Sequence, residues 1–306
     1  DYRLINSGKY LVVIAGPTAV GKTDVAINLA MQWNSEIISA DSRQFYNEMS
    51  IGTAKPDDQQ LSAVKHHFVG QLSVHDYYNV SMFENDALAT LNTLFETHNI
   101  VFLAGGSGLY IDALCNGIDD FPDPAPELRA FLKGIYQDEG LLKLQQMLLE
   151  KDPEYYSVVD INNPNRLLRA LEVCLTTGKK FSEQRLNNQK SRDFNIIKIA
   201  LNLPRPELFN RIEMRVDRMI DNGLVDEVKS LLPYRHLNAL NTVGYKEIFQ
   251  YLDSEISLDQ AITNIKTNTR RYAKRQLTWF NRTDVYAWFE PTQYEEINDY
   301  ISAKCR

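Results

Sequence analysis

The sequence predicts an α/β protein: a parallel sheet flanked by helices, interrupted by an all-helical insertion. Three observations carry that expectation. Short apolar runs such as LVVIA and IVFLA alternate with stretches of helical periodicity. The run Leu11–Ala15 leads directly into GPTAVGKT at Gly16–Thr23, a full G-x-x-x-x-G-K-[ST] pattern between strand and helix. Beyond the proline cluster FPDPAPELR (121–129), most of residues 127–190 have helical texture and no clear strand.

Residues 10–15 read as a buried strand and 22–33 as a helix with Val25, Leu29 and Ala30 inward. Residues 36–40, EIISA, read as a second strand that delivers Asp41-Ser42. Ser81-Met82-Phe83-Glu84 has the form of a capping box opening a helix to about His98. IVFLA (100–104) is a further strand running into GGSGLY (105–110). NIIKIAL (195–201) reads as a late strand returning to the sheet, 205–280 as helical, and VYAWF (285–289) as a last strand. The expected division is a core of 1–125 and 191–306 with an insertion of 126–190. In open α/β sheets ligands sit beyond the carboxyl ends of the strands. Gly16–Thr23, Asp41–Gln44 and Gly105–Ser107 all fall there.

Composition narrows the class. The chain has 306 residues, 44% hydrophobic and 24% charged, enough for a sizeable core. No window reaches the ~18 apolar residues of a membrane helix, so no membrane association is expected. DYRLINSGKY carries no apolar leader run, and three scattered cysteines (Cys115, Cys174, Cys305) argue for a reducing compartment, hence the cytoplasm. The net charge of −7 disfavours a nonspecific nucleic-acid coat but leaves room for a local basic surface.

In the loop, Gly16 and Gly21 let backbone N–H groups face phosphate oxygens across Pro17, Thr18, Ala19 and Val20. Lys22 adds a point charge, and the Thr23 hydroxyl is placed for Mg²⁺. Asp41 could accept a proton, hold Mg²⁺ through water, or simply terminate a turn. Ser107 offers a hydroxyl among glycines. IVFLA ends without the acidic residue an ATP hydrolase would often place there. His66-His67 lacks companions at ligand spacing, so no metal site is expected from it. In 262–282, Lys266, Arg270 and Lys274 share a helix face beside Arg271 and Arg275, with Tyr272, Trp279 and Phe280 interleaved. That face is either solvated or turned to polyphosphate or RNA. Arg211 and Arg215 share another face and could pair locally or reach the loop.

Taken together, GPTAVGKT, ISADSRQFY, IGTAKP, HHFVG, LAGGSGLYIDAL, NPNRLLRALEV, RVDRMIDNGLVDEV, NTVGYKEI and TRRYAKRQLTWF resemble, in order, the blocks of the tRNA dimethylallyltransferase (tRNA isopentenyltransferase) family. They span nearly the whole chain. The quoted blocks include no counterpart of the eukaryotic zinc-finger segment, so the bacterial type is expected. Position 107 is Ser where the family commonly has Thr, which keeps the hydroxyl.

The resemblance implies a P-loop-type α/β core with an inserted helical domain. It implies an enzyme that moves a dimethylallyl group from dimethylallyl diphosphate to N6 of the adenosine 3′ to the anticodon, assisted by Mg²⁺. The expected partners are the tRNA anticodon stem-loop and the diphosphate, met by a monomer. The loop, with Arg211 or Arg215, would hold the diphosphate as leaving group, with Lys22, Thr23, Ser107 and the base Asp41 as catalytic residues. Family correspondence places RNA contacts at Asp41, Ser42, Arg43 and Gln44, at Ser107 and Arg129, at Asn165, Arg166, Leu167, Leu168 and Arg169, and at Asn241, Thr242, Val243, Gly244, Tyr245 and Lys246. Arg271 and Arg275 are added as RNA-phosphate contacts from the basic helix.

Three readings compete. A small-molecule kinase would explain the loop, as would a bare assignment of ATP binding, but not the other blocks. An adenylate isopentenyltransferase acting on free nucleotides leaves the helical insertion without a use. A non-enzymatic RNA-binding module leaves the loop and Asp41 unexplained.

Overall fold

A computed structural model of the chain describes residues 8–119, 121–185 and 189–305. The N-terminal stretch read as lacking a leader, and part of the helical 127–190 reading, lie outside them. The strands are β1 (Tyr10–Ala15), β2 (Ile37–Ser39), β3 (His66–His67), β4 (Ile100–Gly105), β5 (Asn195–Leu201) and β6 (Ala287–Phe289). They form one sheet in the order β3-β2-β4-β1-β5-β6, with every pairing parallel. The helices are α1 (Lys22–Gln32), α2 (Asp58–Ala63), α3 (Val80–Leu94), α4 (Gly108–Asn116), α5 (Pro126–Glu139), α6 (Leu141–Lys151), α7 (Pro153–Tyr156), α8 (Pro164–Thr177), α9 (Phe181–Gln184), α10 (Arg205–Asp221), α11 (Leu224–Ser230), α12 (Tyr245–Leu252), α13 (Leu258–Phe280) and α14 (Tyr294–Lys304).

Two compact units emerge: residues 1–115 with 191–306, and residues 116–190. In the first, β1 lies between β4 and β5 and is buried along its whole length. Its alternate side chains feed two cores, as period-two geometry dictates. Val12 and Ile14 pack with Ala26, Leu29 and Ala30 of α1. Leu11 and Val13 pack with Ala87 and Leu91 of α3 and Ile111 of α4. A third cluster joins Tyr46 and Met49 to α10–α13 through Val216, Leu224, Ile248 and Ile265.

One local expectation is overturned. α3 opens at Asn79, whose side chain accepts from the Met82 N–H at 2.8 Å, so Ser81–Glu84 is not the capping box. Glu84 is buried and pairs with Arg192 at 2.8 Å instead. A distant cation outcompeted the local backbone for that carboxylate. The last strand also begins later than its apolar run, at Ala287.

The second unit is helical. Leu132, Leu144, Leu148, Tyr155, Leu167, Leu171 and Phe181 form its core. α8 is capped by Asn163 and closed by Gly178 in the left-handed region. The fully buried Asp152 accepts from Tyr155 N–H, Ser182 N–H and the Ser182 hydroxyl, at 2.7–3.0 Å. Those bonds hold its carboxyl below the ordinary range against the cost of burial.

Candidate active site

A cavity of about 690 Å³ opens at the carboxyl edge of the sheet, within the first unit. The segments after β1, β2 and β4 line it, as sheet topology requires. Close approach of those segments depends on Gly105: a Cβ there would lie 2.2 Å from the Ala40 carbonyl oxygen.

After β1 the phosphate loop folds back on itself. Gly21 takes φ +106°, and the Lys22 ammonium donates to the Pro17 carbonyl at 2.7 Å. Burial drives the Lys22 pKa down to about 7; Asp41 opposes the shift and Arg215 reinforces it. Thr18, Ala19, Gly21, Lys22 and Thr23 line the cavity. Pro17 and Val20 are buried, so any ligand contact from them is made by backbone.

Both α10 arginines reach the loop, which the spacing alone left undecided. Arg215 donates to the Thr18 hydroxyl at 3.3 Å and lines the cavity. Arg211 donates to the Val20 carbonyl at 3.3 Å and to Glu207 at 3.0 Å. Arg215 is therefore the cation presented to the cavity, while Arg211 braces the loop from behind.

After β2, Asp41 lines the same cavity and accepts from the Arg43 N–H at 3.2 Å. Burial raises its pKa, partly offset by the backbone N–H bonds of Arg43 and Gln44 and by the Lys22 charge. A carboxylate with raised proton affinity is suited to take a proton. The Ser107 hydroxyl accepts from the Ser42 N–H at 3.0 Å and contacts the Ser42 hydroxyl at 3.2 Å, tying the turn after β2 to the turn after β4. The other expected contacts are partly committed. Arg43 donates to the carbonyls of Asn238 and Ala239 at 3.1 and 3.3 Å. The Gln44 amide donates to the Thr53 and Ala54 carbonyls, both at 3.0 Å.

Asn241, Thr242, Val243, Gly244 and Lys246 all line the cavity, with Asn241 and Lys246 exposed. Tyr245 is fully buried and donates to Glu227, so its side chain is not an RNA contact. Glu227 also accepts from the N–H groups of Ser50, Ile51 and Gly52 at 2.8–3.1 Å, fixing the turn that contributes Gly52, Thr53 and Ala54 to the cavity.

The basic α13 divides in two. Lys266 pairs with Asp217 at 2.7 Å and Arg270 with Glu213, so these two are neutralised by α10. Arg271 and Arg275 are exposed, and Arg275 lines the cavity beside Tyr272. In the helical unit, Arg129 and Arg169 both pair with Glu172, at 3.3 and 3.4 Å. Asn165 and Arg166 are exposed, Leu168 is half-buried, and Leu167 is core, which removes its side chain as a contact.

Sequence reasoning missed Glu227 and Gln276; Tyr272, noted only as an aromatic within the basic stretch, lines the cavity. Gln276 is 7% exposed and bonds both to the phosphate loop and to the turn after β4. No pattern marks a lone glutamine whose partners lie 258 and 170 positions away. In the histidine pair, His67 bonds Glu36 at 2.5 Å; among the described residues no group of three His, Cys, Asp or Glu is placed to hold a metal ion.

The family model described as IPP transferase matches residues 44–283. A protein of Azobacteroides pseudotrichonymphae named tRNA dimethylallyltransferase 2 is 50% identical over 287 residues, 94% of each chain. The tRNA dimethylallyltransferase 1 of Bacteroides fragilis is 47% identical over 300 residues, 98% of this chain and 100% of its own. The solved full-length tRNA isopentenylpyrophosphate transferase of Bacillus halodurans superimposes with a TM-score of 0.71 at 34% identity, covering 97% of both chains. A eukaryotic dimethylallyltransferase acting on tRNA gives 0.78 at 27% identity over 96% of this chain and 80% of its own. On this evidence the chain belongs to the IPP transferase family.

Proposed function

We propose that the protein is a tRNA dimethylallyltransferase, moving a dimethylallyl group from its diphosphate to N6 of the adenosine 3′ to the anticodon. One observation carries the reading: the phosphate loop, Arg215 and Asp41 line one cavity. An anion site and a proton acceptor there face the same ligand space. The reaction breaks the bond between the allylic carbon and the diphosphate oxygen. Negative charge grows on the diphosphate, where Lys22, Arg215 and the loop N–H groups meet it. The exocyclic amine attacks that carbon and becomes cationic, and Asp41 accepts the proton it sheds. No ATP enters this scheme.

The Thr23 hydroxyl is a hard oxygen donor lining the cavity, and it would hold a Mg²⁺ together with phosphate and water oxygens. When bound, the ion neutralises diphosphate charge. The adenine must leave its stack to enter, at a cost of a few kcal/mol. Exposed Asn241, Lys246, Arg271 and Arg275 on the first unit, and Asn165 and Arg166 on the second, support RNA binding. We read the enzyme as a cytoplasmic monomer. Among the described residues no helix is long and apolar enough to cross a membrane.

The decisive assay incubates the protein with labelled dimethylallyl diphosphate, Mg²⁺ and unmodified tRNA, then digests the RNA to nucleosides. Label on N6 of adenosine is expected. Label only on free nucleotides would shift the assignment to an adenylate isopentenyltransferase.

A further inference from the structure

Strands β1 and β4 run in register as far as Ala15 opposite Gly105. Past that pair the chains leave the sheet, one as the phosphate loop and the other as the turn that bears Ser107. Gln276 of α13 spans the gap between them. Its Oε1 accepts from the Thr18 N–H at 2.8 Å, and its Nε2 donates to the Gly106 carbonyl at 3.1 Å. Reversing the amide would set N–H against N–H and oxygen against oxygen, so the two contacts fix its orientation. The fit is close: a Cβ on Gly106 would lie 2.3 Å from Nε2 and 3.2 Å from the Gly16 carbonyl oxygen. The residue is 7% exposed, so its carboxamide acts through the turns it joins.

Those two turns serve opposite ends of the proposed reaction. The loop, with Lys22 and with Arg215 bonded to the Thr18 hydroxyl at 3.3 Å, is the leaving-group end. Beyond Gly106, the Ser107 N–H donates to the Ala40 carbonyl at 3.1 Å, and the Ser107 hydroxyl accepts from the Ser42 N–H at 3.0 Å. Ala40 and Ser42 flank Asp41, the acceptor of the amine's proton. A continuous path thus runs from Thr18 through Gln276, Gly106 and Ser107 to the backbone that carries Asp41. Reaction between two bound groups is steeply sensitive to such spacing: misplacement by about 1 Å costs on the order of 10²-fold in rate.

We propose that Gln276 is a positioning residue for the transfer, a strut that sets the separation of leaving group and amine by tying the phosphate loop to the turn bearing Ser107. The proposal rests on the reaction proposed above. Each half of the site keeps its own ligand contacts without the strut, so its loss falls on the transfer step and not on binding.

The test separates rate from affinity. Gln276→Met removes both hydrogen bonds at similar side-chain length. Single-turnover transfer at saturating dimethylallyl diphosphate and tRNA should fall by about 10²-fold. Dissociation constants for pyrophosphate, by calorimetry, and for tRNA, by filter binding, should stay within about threefold of wild type. Gly106→Ala retains Gln276 but sets a methyl group against its Nε2; it should show the same split, and it carries the test if the Met variant does not fold. Adding Ser107→Ala to Gln276→Met should cost far less than the product of the separate losses, because both act along one path. Pyrophosphate affinity falling in step with the rate would make Gln276 a brace of the loop alone, and an unchanged rate would make it packing. Either result overturns the proposal, as does a double variant that loses the full product. A wild type that transfers no dimethylallyl group to tRNA strikes the proposed function itself, and that control tells the two failures apart.

Discussion

Lys266 of α13 donates to Asp217 of α10 at 2.7 Å, one turn from the pairing of Arg270 with Glu213. Two of the five cations of what reads as a continuous basic face are therefore spent holding two helices together, and Arg271, Lys274 and Arg275 stand exposed along it.

That division predicts two kinds of variant. Replacing Arg271 and Arg275 with Gln should weaken tRNA binding and flatten its log–log salt dependence by roughly one unit per lost phosphate contact. Replacing Lys266 and Arg270 with Gln should leave the slope unchanged and lower stability by less than ~1 kcal/mol per half-exposed pair. Filter binding across a salt series, with thermal melts alongside, distinguishes them. Equal slope changes in both variants would refute the division.

Asp41→Asn keeps size and one acceptor oxygen but loses basicity. Single-turnover transfer should fall by about 10²–10⁴-fold while tRNA and pyrophosphate binding persist. Near wild-type transfer would reduce Asp41 to a turn residue. Recovery at high Mg²⁺ would instead assign it to metal organisation.

Lys22, with its pKa lowered to about 7, is largely neutral in the free protein at pH 8. A bound anion favours the ammonium, so pyrophosphate binding should take up a proton at pH 8 and less at pH 6. Affinity should correspondingly fall as pH rises through about 7. Calorimetry without metal, in buffers of differing ionisation enthalpy, measures the uptake. Subtracting Lys22→Met removes pyrophosphate's own protonation. A proton count identical in both proteins would place the titration elsewhere.

Glu227 accepts from three backbone N–H groups and from Tyr245. Tyr245→Phe should cost about 1 kcal/mol, and Glu227→Ala, which strands several donors, about 3 kcal/mol. Because the turn they hold lines the cavity, Glu227→Ala should also raise KM for tRNA. Urea unfolding and steady-state kinetics test both. Stability loss without a KM change would confine Glu227 to the fold.

The sequence by itself determined five of the six strands, the loop and the set of blocks that places the chain in its family; the two-residue β3 at His66–His67 was too short to leave a pattern. Those features are local: an apolar run makes a buried strand wherever it lies, and G-x-x-x-x-G-K-T folds through its own glycines. Even the place of Asp41 on the cavity was legible, because topology puts any strand's carboxyl end at the ligand edge. Which polar groups serve ligands and which serve the fold was decided only in three dimensions. Glu84 looked like a cap and became the partner of Arg192; Tyr245 was expected among the RNA contacts and its side chain became core; Arg211 and Arg215, four residues apart, took different tasks. Gln276 shows the reason most plainly. A side chain's hydrogen-bond partner is chosen by what the packed core leaves within about 3 Å of it, and residues brought that close from distant parts of the chain leave no period or spacing in the sequence.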